Sequence, residues 1–278
     1  MILNPMYIDE IIHRALKEDM PYGDITTDHL IDGNQKSNAR LIGKESGVIA
    51  GMDVAKRVFE LLDSEIVFES CVKDGDRVQK GDVLAYLSGK TASILKAERT
   101  ALNLLQRMSG IATATSLYVE EVKGCSVRIV DTRKTVPGLR MLDKYAVTAG
   151  GGHNHRYGLS DAVLIKDNHI AAAGGIKNAI SIIRSKIPHT VKIEVETENF
   201  EQVMEAIEAK ADIIMLDNMD CKEMKRCVDF INRRALVEAS GNVSLKTVRE
   251  IAQTGVDIIS VGAITHSVKA LDISLLFC

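Results

Sequence analysis

The chain has 278 residues, 46% of them hydrophobic and 26% charged, with a net charge of −3; that length suits two domains, or one large α/β domain with an appendage, and the composition excludes disorder. A mean hydropathy of +0.02 without any apolar run of about 18 residues argues against a membrane span, and Met1-Ile2-Leu3-Asn4-Pro5 lacks the basic flank and apolar core of a signal peptide. Mild acidity, 4% aromatics, no Trp, and five Cys without a C-x-x-C pair speak against nucleic acid, a disulfide framework and common zinc sites, so a reduced, cytoplasmic chain is expected.

Taken in order, Ile8, Ile11, Ile12, Ala15 and Leu16 fall on one face of a helix over 6–18, which Pro21 and Gly23 end. Strand-like runs follow at Ala39–Ile42, Val48–Ala50, Ile66–Cys71 and Val83–Leu87, broken by a helix near Val54–Leu62, with Asp74-Gly75 and Lys80-Gly81 as turns. Thr91–Val122 is helical in pattern and interrupted at Gly110. These elements predict a small N-terminal α+β unit and a change of character around residue 110.

Beyond it, β-branched runs recur at Val127–Val130, Ala162–Ile165, Val191–Val195, Asp212–Leu216, Ala235–Val237 and Asp257–Val261. Helical patterns at Asn199–Ala209, Lys222–Ile231 and Leu245–Thr254 separate the later ones. Buried strands alternating with amphipathic helices imply parallel pairing with right-handed crossovers. The strand spacing of roughly 20–30 residues is close to that of a βα barrel unit. Six such strands predict an incomplete α/β barrel; a doubly wound sheet is the alternative, although no G-x-G-x-x-G follows the first strand.

Polar residues mark each strand end: Asp131-Thr132-Arg133-Lys134, Lys166-Asp167-Asn168-His169, Glu194 and Glu196, Asp217-Asn218, Glu238-Ala239-Ser240-Gly241-Asn242, and Val261-Gly262-Ala263. In a barrel these ends share one mouth. The two glycine-bearing ends follow the last two strands, where backbone N–H groups hold a phosphate. From Thr132 to Ser160 stand Arg133, Lys134, Arg140, Lys144 and Arg156 against one acid, Asp143, which points to a small anionic ligand; Arg suits carboxylates and Lys suits phosphates. A zinc site on His153, His155 and His169 is disfavoured, with no Cys or Glu beside them. Glu196 and Asp217, on neighbouring strands, suit a ribose diol or a hydrated Mg²⁺. Glycoside hydrolysis by paired carboxylates leaves the cations unexplained. The Asp74–Leu84 stretch is similar to a biotinyl or lipoyl carrier hairpin, but no Met-Lys-Met is present.

The motifs Glu98–Gln106, Asp131–Arg140, Gly150–Arg156 and Lys166–His169, with Gly23-Asp24-Ile25-Thr26, together resemble the quinolinate phosphoribosyltransferase (carboxylating nicotinate-nucleotide pyrophosphorylase) family over essentially the whole chain. The resemblance implies an N-terminal α/β sandwich (1–110), an open α/β barrel (111–270) and a C-terminal segment (271–278) that returns to the sandwich. It also implies a homodimer, or a hexamer, and Mg²⁺-dependent formation of nicotinate mononucleotide, CO₂ and pyrophosphate from quinolinate and phosphoribosyl pyrophosphate in NAD biosynthesis. By the same resemblance Arg133, His155 and Arg156, with Arg99 of the partner subunit and Thr132 nearby, meet quinolinate, and Lys134 and Lys166 meet the pyrophosphate. Glu196 and Asp217 hold the ribose, and Ser240, Gly241, Asn242, Val261, Gly262 and Ala263 the 5′-phosphate. Whether Glu194 or Glu196 faces the mouth stays open, because alternate strand residues share a face. The other readings are a phosphoribosyltransferase for nicotinate, a molybdenum-associated paralogue, and a carrier module.

Overall fold

A computed structural model describes residues 3–278. In chain order the elements are α1 (Pro5–Asp19), α2 (Ile25–Leu30), β1 (Lys36–Gly43), β2 (Gly47–Val48), α3 (Met52–Leu62), β3 (Val67–Ser70), β4 (Arg77–Val78), β5 (Val83–Lys90) and α4 (Thr91–Glu121). Then come β6 (Arg128–Val130), α5 (Arg140–Ala149), β7 (Val163–Ile165), α6 (Asp167–Ala173), α7 (Ile176–Arg184), β8 (Ile193–Thr197), α8 (Phe200–Glu208) and β9 (Ile213–Asp217). The last are α9 (Cys221–Ile231), β10 (Leu236–Ser240), α10 (Val248–Gln253), β11 (Ile258–Ser260), α11 (Ala263–His266) and β12 (Ile273–Phe277). Among the described residues no helix is long and apolar enough to cross a membrane.

Two compact units result. One runs to Ser116 and takes in Thr135–Gly151 and Ile264–Cys278; the other holds Leu117–Lys134 and Gly152–Ala263. The first is built on an antiparallel sheet of order β12-β1-β5-β3. Ala39 and Leu41 of β1 point into its core while Arg40 between them is exposed, the period-two pattern of a strand with one buried face. Helix α1 starts at Pro5 behind Asn4, whose side chain accepts the Met6 N–H. Helix α3 is capped from afar: the Asp74 carboxylate accepts the Gly51 and Met52 N–H groups and the Tyr145 hydroxyl. Asp74 is thus spent on the scaffold, and the stretch likened to a carrier hairpin serves the sheet.

Two expectations change in this unit. Helix α4 runs unbroken through Gly110. That glycine is there for space, since a Cβ would lie 2.3 Å from the carbonyl oxygen of Lys269. Lys144, counted among the cations for an anionic ligand, is fully buried, and its neighbour Asp143 holds Arg107 by two hydrogen bonds. Arg140 donates to Thr135 Oγ1. Two of the five cations in that run, Arg140 and Lys144, therefore build α5 and its packing.

The second unit is a six-stranded, wholly parallel sheet of order β6-β11-β10-β9-β8-β7. From β7 to β11 each strand adds beside the one before, and the next place is taken by β6. That order is cyclic and lacks only a β6–β7 pairing, so the sheet is an open barrel. A doubly wound sheet would reverse direction at a switch point instead. Helices α6 to α10 pack in sequence against one another outside it. The runs Ile193–Val195, Ile214–Leu216 and Val237–Ala239 are buried throughout, as strands covered on both faces require, and are apolar except for Glu194 and Glu238.

Candidate functional site

Parallel pairing brings all six strand ends of the barrel to one rim, and register decides which side chains face the same way. Glu196 pairs with Met215 and Met215 with Glu238; Asp217 pairs with Ser240; Leu164 pairs with Glu194. Paired residues point to one side, as do residues two apart along a strand. Lys166, Glu194, Glu196, Asp217, Glu238 and Ser240 therefore share one face of the sheet.

The open choice between Glu194 and Glu196 is resolved by depth. Both lie on that face. Glu194 is 3% exposed and sits among interior residues, whereas Glu196 is near the rim and forms an ion pair with Lys166. Lys166 keeps extended backbone beyond β7 and its N–H donates to His169 Nδ1 at 3.1 Å. His169 thus orients the lysine's backbone at the head of α6.

At the next strand end Asn218, marked in the sequence beside Asp217 but given no role there, ties together three candidate residues. Its N–H donates to the Ser240 carbonyl at 2.9 Å, its amide donates to Asp217 Oδ2 at 2.8 Å, and its Oδ1 accepts from Asn242 Nδ2 at 2.9 Å. Asn218 and Asn242 both have positive φ, at 56° and 50°, a conformation that Asn tolerates better than most side chains. Val261, beside them at the end of β11, donates its N–H to the Val130 carbonyl at 2.9 Å and leads into Gly262 and Ala263.

The β6 end holds the segment 153–156. The His153 N–H donates to Ile129 O and the Asp131 N–H to His153 O. The fully buried Asp131 carboxylate accepts the His155 N–H at 3.0 Å and Asn154 Nδ2 at 2.5 Å. His155 Nε2 lies 3.2 Å from Glu194 Oε2 and 3.5 Å from Glu238 Oε2. Its Nδ1 accepts the Arg156 N–H at 2.8 Å. The expectation that no Glu stands near the H-x-H histidines is therefore corrected for His155, whose partners come from strands about 40 and 80 residues onward. Burial pulls the imidazole pKa down, but hydrogen bonds and charge from both glutamates outweigh it and raise it, favouring a ring proton on Nε2 between them. Glu194 is itself raised, first by burial.

Arg156 donates to Ala162 O at 2.9 Å. Its pKa is lowered by burial and then by the charge of Arg133, which stands exposed after β6. Two guanidiniums that repel each other beside a rim lysine form a place that an anion relieves. Thr132 Oγ1 accepts the Lys134 N–H at 3.0 Å and shapes the loop between them. Arg99 is exposed on α4 and belongs to the first unit.

His155, Glu194 and Glu238 offer ligand atoms within 4.8 Å of one another and could hold a metal ion. Mg²⁺ fits that set poorly, because it prefers oxygen ligands and keeps several waters, while two of these residues are fully enclosed and the third offers nitrogen. The half-exposed carboxylates Glu196 and Asp217 on adjacent strands suit it better.

A family model described as the quinolinate phosphoribosyl transferase C-terminal domain matches residues 111–276, and its N-terminal counterpart matches 24–109. The chain belongs to this family. A probable nicotinate-nucleotide pyrophosphorylase (carboxylating) of Bacillus subtilis is 44% identical over 98% of this chain and 94% of its own. The chloroplastic relative in Arabidopsis thaliana is 45% identical, over 98% and 83%. NadC from Streptococcus pyogenes superposes with a TM-score of 0.96 at 42% identity, over 100% and 99% of the two chains. A human nicotinic acid phosphoribosyltransferase shares the fold alone, with a TM-score of 0.64 at 12% identity. In this member of the quinolinate phosphoribosyltransferase family, Asp131, Asn218 and Glu238 stand at strand ends that the sequence marks, but no role for them follows from the sequence. Only the positive-φ tolerance of Asn next to Asp217 gave a local signal.

Proposed function

We propose that this chain joins quinolinate to phosphoribosyl pyrophosphate, giving nicotinate mononucleotide, CO₂ and pyrophosphate, the step that supplies pyridine nucleotide for NAD biosynthesis. The observation that carries the reading is the pair of guanidiniums Arg133 and Arg156, close enough to repel, on a barrel whose rim also carries the Lys166–Glu196 pair, in a chain of this family. Two forked cations match a dicarboxylate, and Arg99 of the partner subunit would complete the clamp in a homodimer or hexamer. His155 and Thr132 shape that clamp. Lys134 and Lys166 meet the pyrophosphate, Glu196 and Asp217 the ribose hydroxyls. The loops Ser240-Gly241-Asn242 and Val261-Gly262-Ala263 receive the 5′-phosphate.

Displacement at the anomeric carbon develops positive charge on the sugar and negative charge on the leaving pyrophosphate. Glu196 and Asp217 stabilise the first and the two lysines the second, without covalent participation. Mg²⁺, held by Glu196 and Asp217 with substrate oxygens, would neutralise further charge on the leaving group. The arginine clamp aims the pyridine nitrogen at the sugar, which supplies several kcal/mol through orientation. Once the nitrogen is quaternised, the ring stabilises the electron pair left when CO₂ departs. The reading takes 1–110 as the closing sandwich, 111–270 as the catalytic barrel and 271–278 as the returning strand, in a cytoplasmic enzyme.

Substrate discrimination tests this assignment. Nicotinate, with one carboxylate, is expected to be turned over at least about a hundredfold less efficiently than quinolinate, because one arm of the arginine clamp then stays unpaired. Equal turnover would move the chain to nicotinate transfer. Arg133→Ala is expected to raise the KM for quinolinate with little change for phosphoribosyl pyrophosphate.

A further inference from the structure

The interior of a parallel barrel is ordinarily filled with layers of Val, Ile and Leu contributed by alternate strands. Here Glu194 of β8 and Glu238 of β10, alternate strands flanking β9, place two carboxylates in that interior at 3% and 1% exposure. Aliphatic residues would stabilise such a position more than buried charges do. The two Oε2 atoms converge on one atom, His155 Nε2, and among the described residues neither Oε1 atom has a hydrogen-bond partner. The imidazole is thus what the carboxylates are there to hold. Its opposite nitrogen carries the backbone of Arg156, and Asp131 fixes the same segment from β6. The ring works as a strut from the barrel interior to the arginine.

We propose that Glu194 and Glu238 are positioning residues that act through His155 to set Arg156 in place before the substrate dicarboxylate arrives. This rests on the reading that Arg156 meets quinolinate. It also separates the cluster from a metal site. With Nδ1 accepting an N–H, the ring proton sits on Nε2, and no lone pair remains there for an ion.

The test uses Glu194→Gln and Glu238→Gln, which keep shape but remove charge, with KM measured for each substrate and a thermal melt alongside. Each is expected to raise the KM for quinolinate roughly ten- to a hundredfold, leave that for phosphoribosyl pyrophosphate within about twofold and keep a cooperative melt. Combined with Arg156→Lys, Glu238→Gln is expected to add less than its own effect, since both act on one contact. Additive effects, a parallel rise of both KM values, or no change overturn the proposal. So does a stoichiometric metal in the wild type that Glu194→Gln removes. If Glu238→Gln does not fold, Glu238→Asp, with the charge kept on a shorter arm, is expected to show the same selective rise, and an unchanged quinolinate KM in it overturns the proposal. A wild type inactive on quinolinate sinks the functional reading instead, which separates the two failures.

Discussion

Asn218 occupies the space a side chain on Gly241 would need: a methyl group there would lie 2.2 Å from Asn218 Oδ1 and 2.5 Å from its Cγ. Gly241 also has φ +90°, where an L side chain is strained. The ends of β9 and β10 are fitted together by this contact, which ties Asp217, proposed above for the ribose, to the Ser240–Asn242 loop. Gly241→Ala is expected to push Asn218 aside and raise the KM for phosphoribosyl pyrophosphate roughly tenfold or more, with that for quinolinate nearly unchanged. Initial rates with each substrate varied in turn check this; a change confined to quinolinate would contradict it.

Lys166 and Glu196 neutralise each other at the rim in the absence of substrate. Lys166→Met leaves the shape but removes a cation from the leaving group. Its kcat is expected to fall roughly 10²- to 10³-fold, the scale of losing one electrostatic contact in a transition state. A kcat within threefold of wild type would remove Lys166 from the reaction.

Asp143 is a stability determinant. It is fully buried, accepts two hydrogen bonds from Arg107 at 2.9 and 2.7 Å, and takes the Val136 N–H at 3.2 Å. Asp143→Ala leaves Arg107 uncompensated and is expected to cost about 3 kcal/mol, the low end for a broken buried pair because Arg107 is partly exposed. Chemical denaturation would measure it.

The barrel was legible because its strands are short apolar runs with a fixed spacing, and cyclic order follows from adding each beside the last. The rim residues were legible for the same reason, since strand ends are where the runs stop. Depth was not. Glu194 and Glu196 look alike in sequence, and only register plus burial separates a residue locked on His155 from one paired with Lys166. Likewise nothing local in Asp143-Lys144 tells that both side chains are buried, or that Gly110 is small to admit the Lys269 backbone. Such facts depend on partners tens to hundreds of residues away, which periodicity does not encode.

The central claim is a quinolinate-specific transfer coupled to loss of CO₂. Release of labelled CO₂ from carboxyl-labelled quinolinate, with and without phosphoribosyl pyrophosphate, tests it most directly. The account predicts release only when both substrates and Mg²⁺ are present, in a one-to-one ratio with nicotinate mononucleotide. Release without the phosphoribosyl donor, or nucleotide formed with no CO₂, would contradict it.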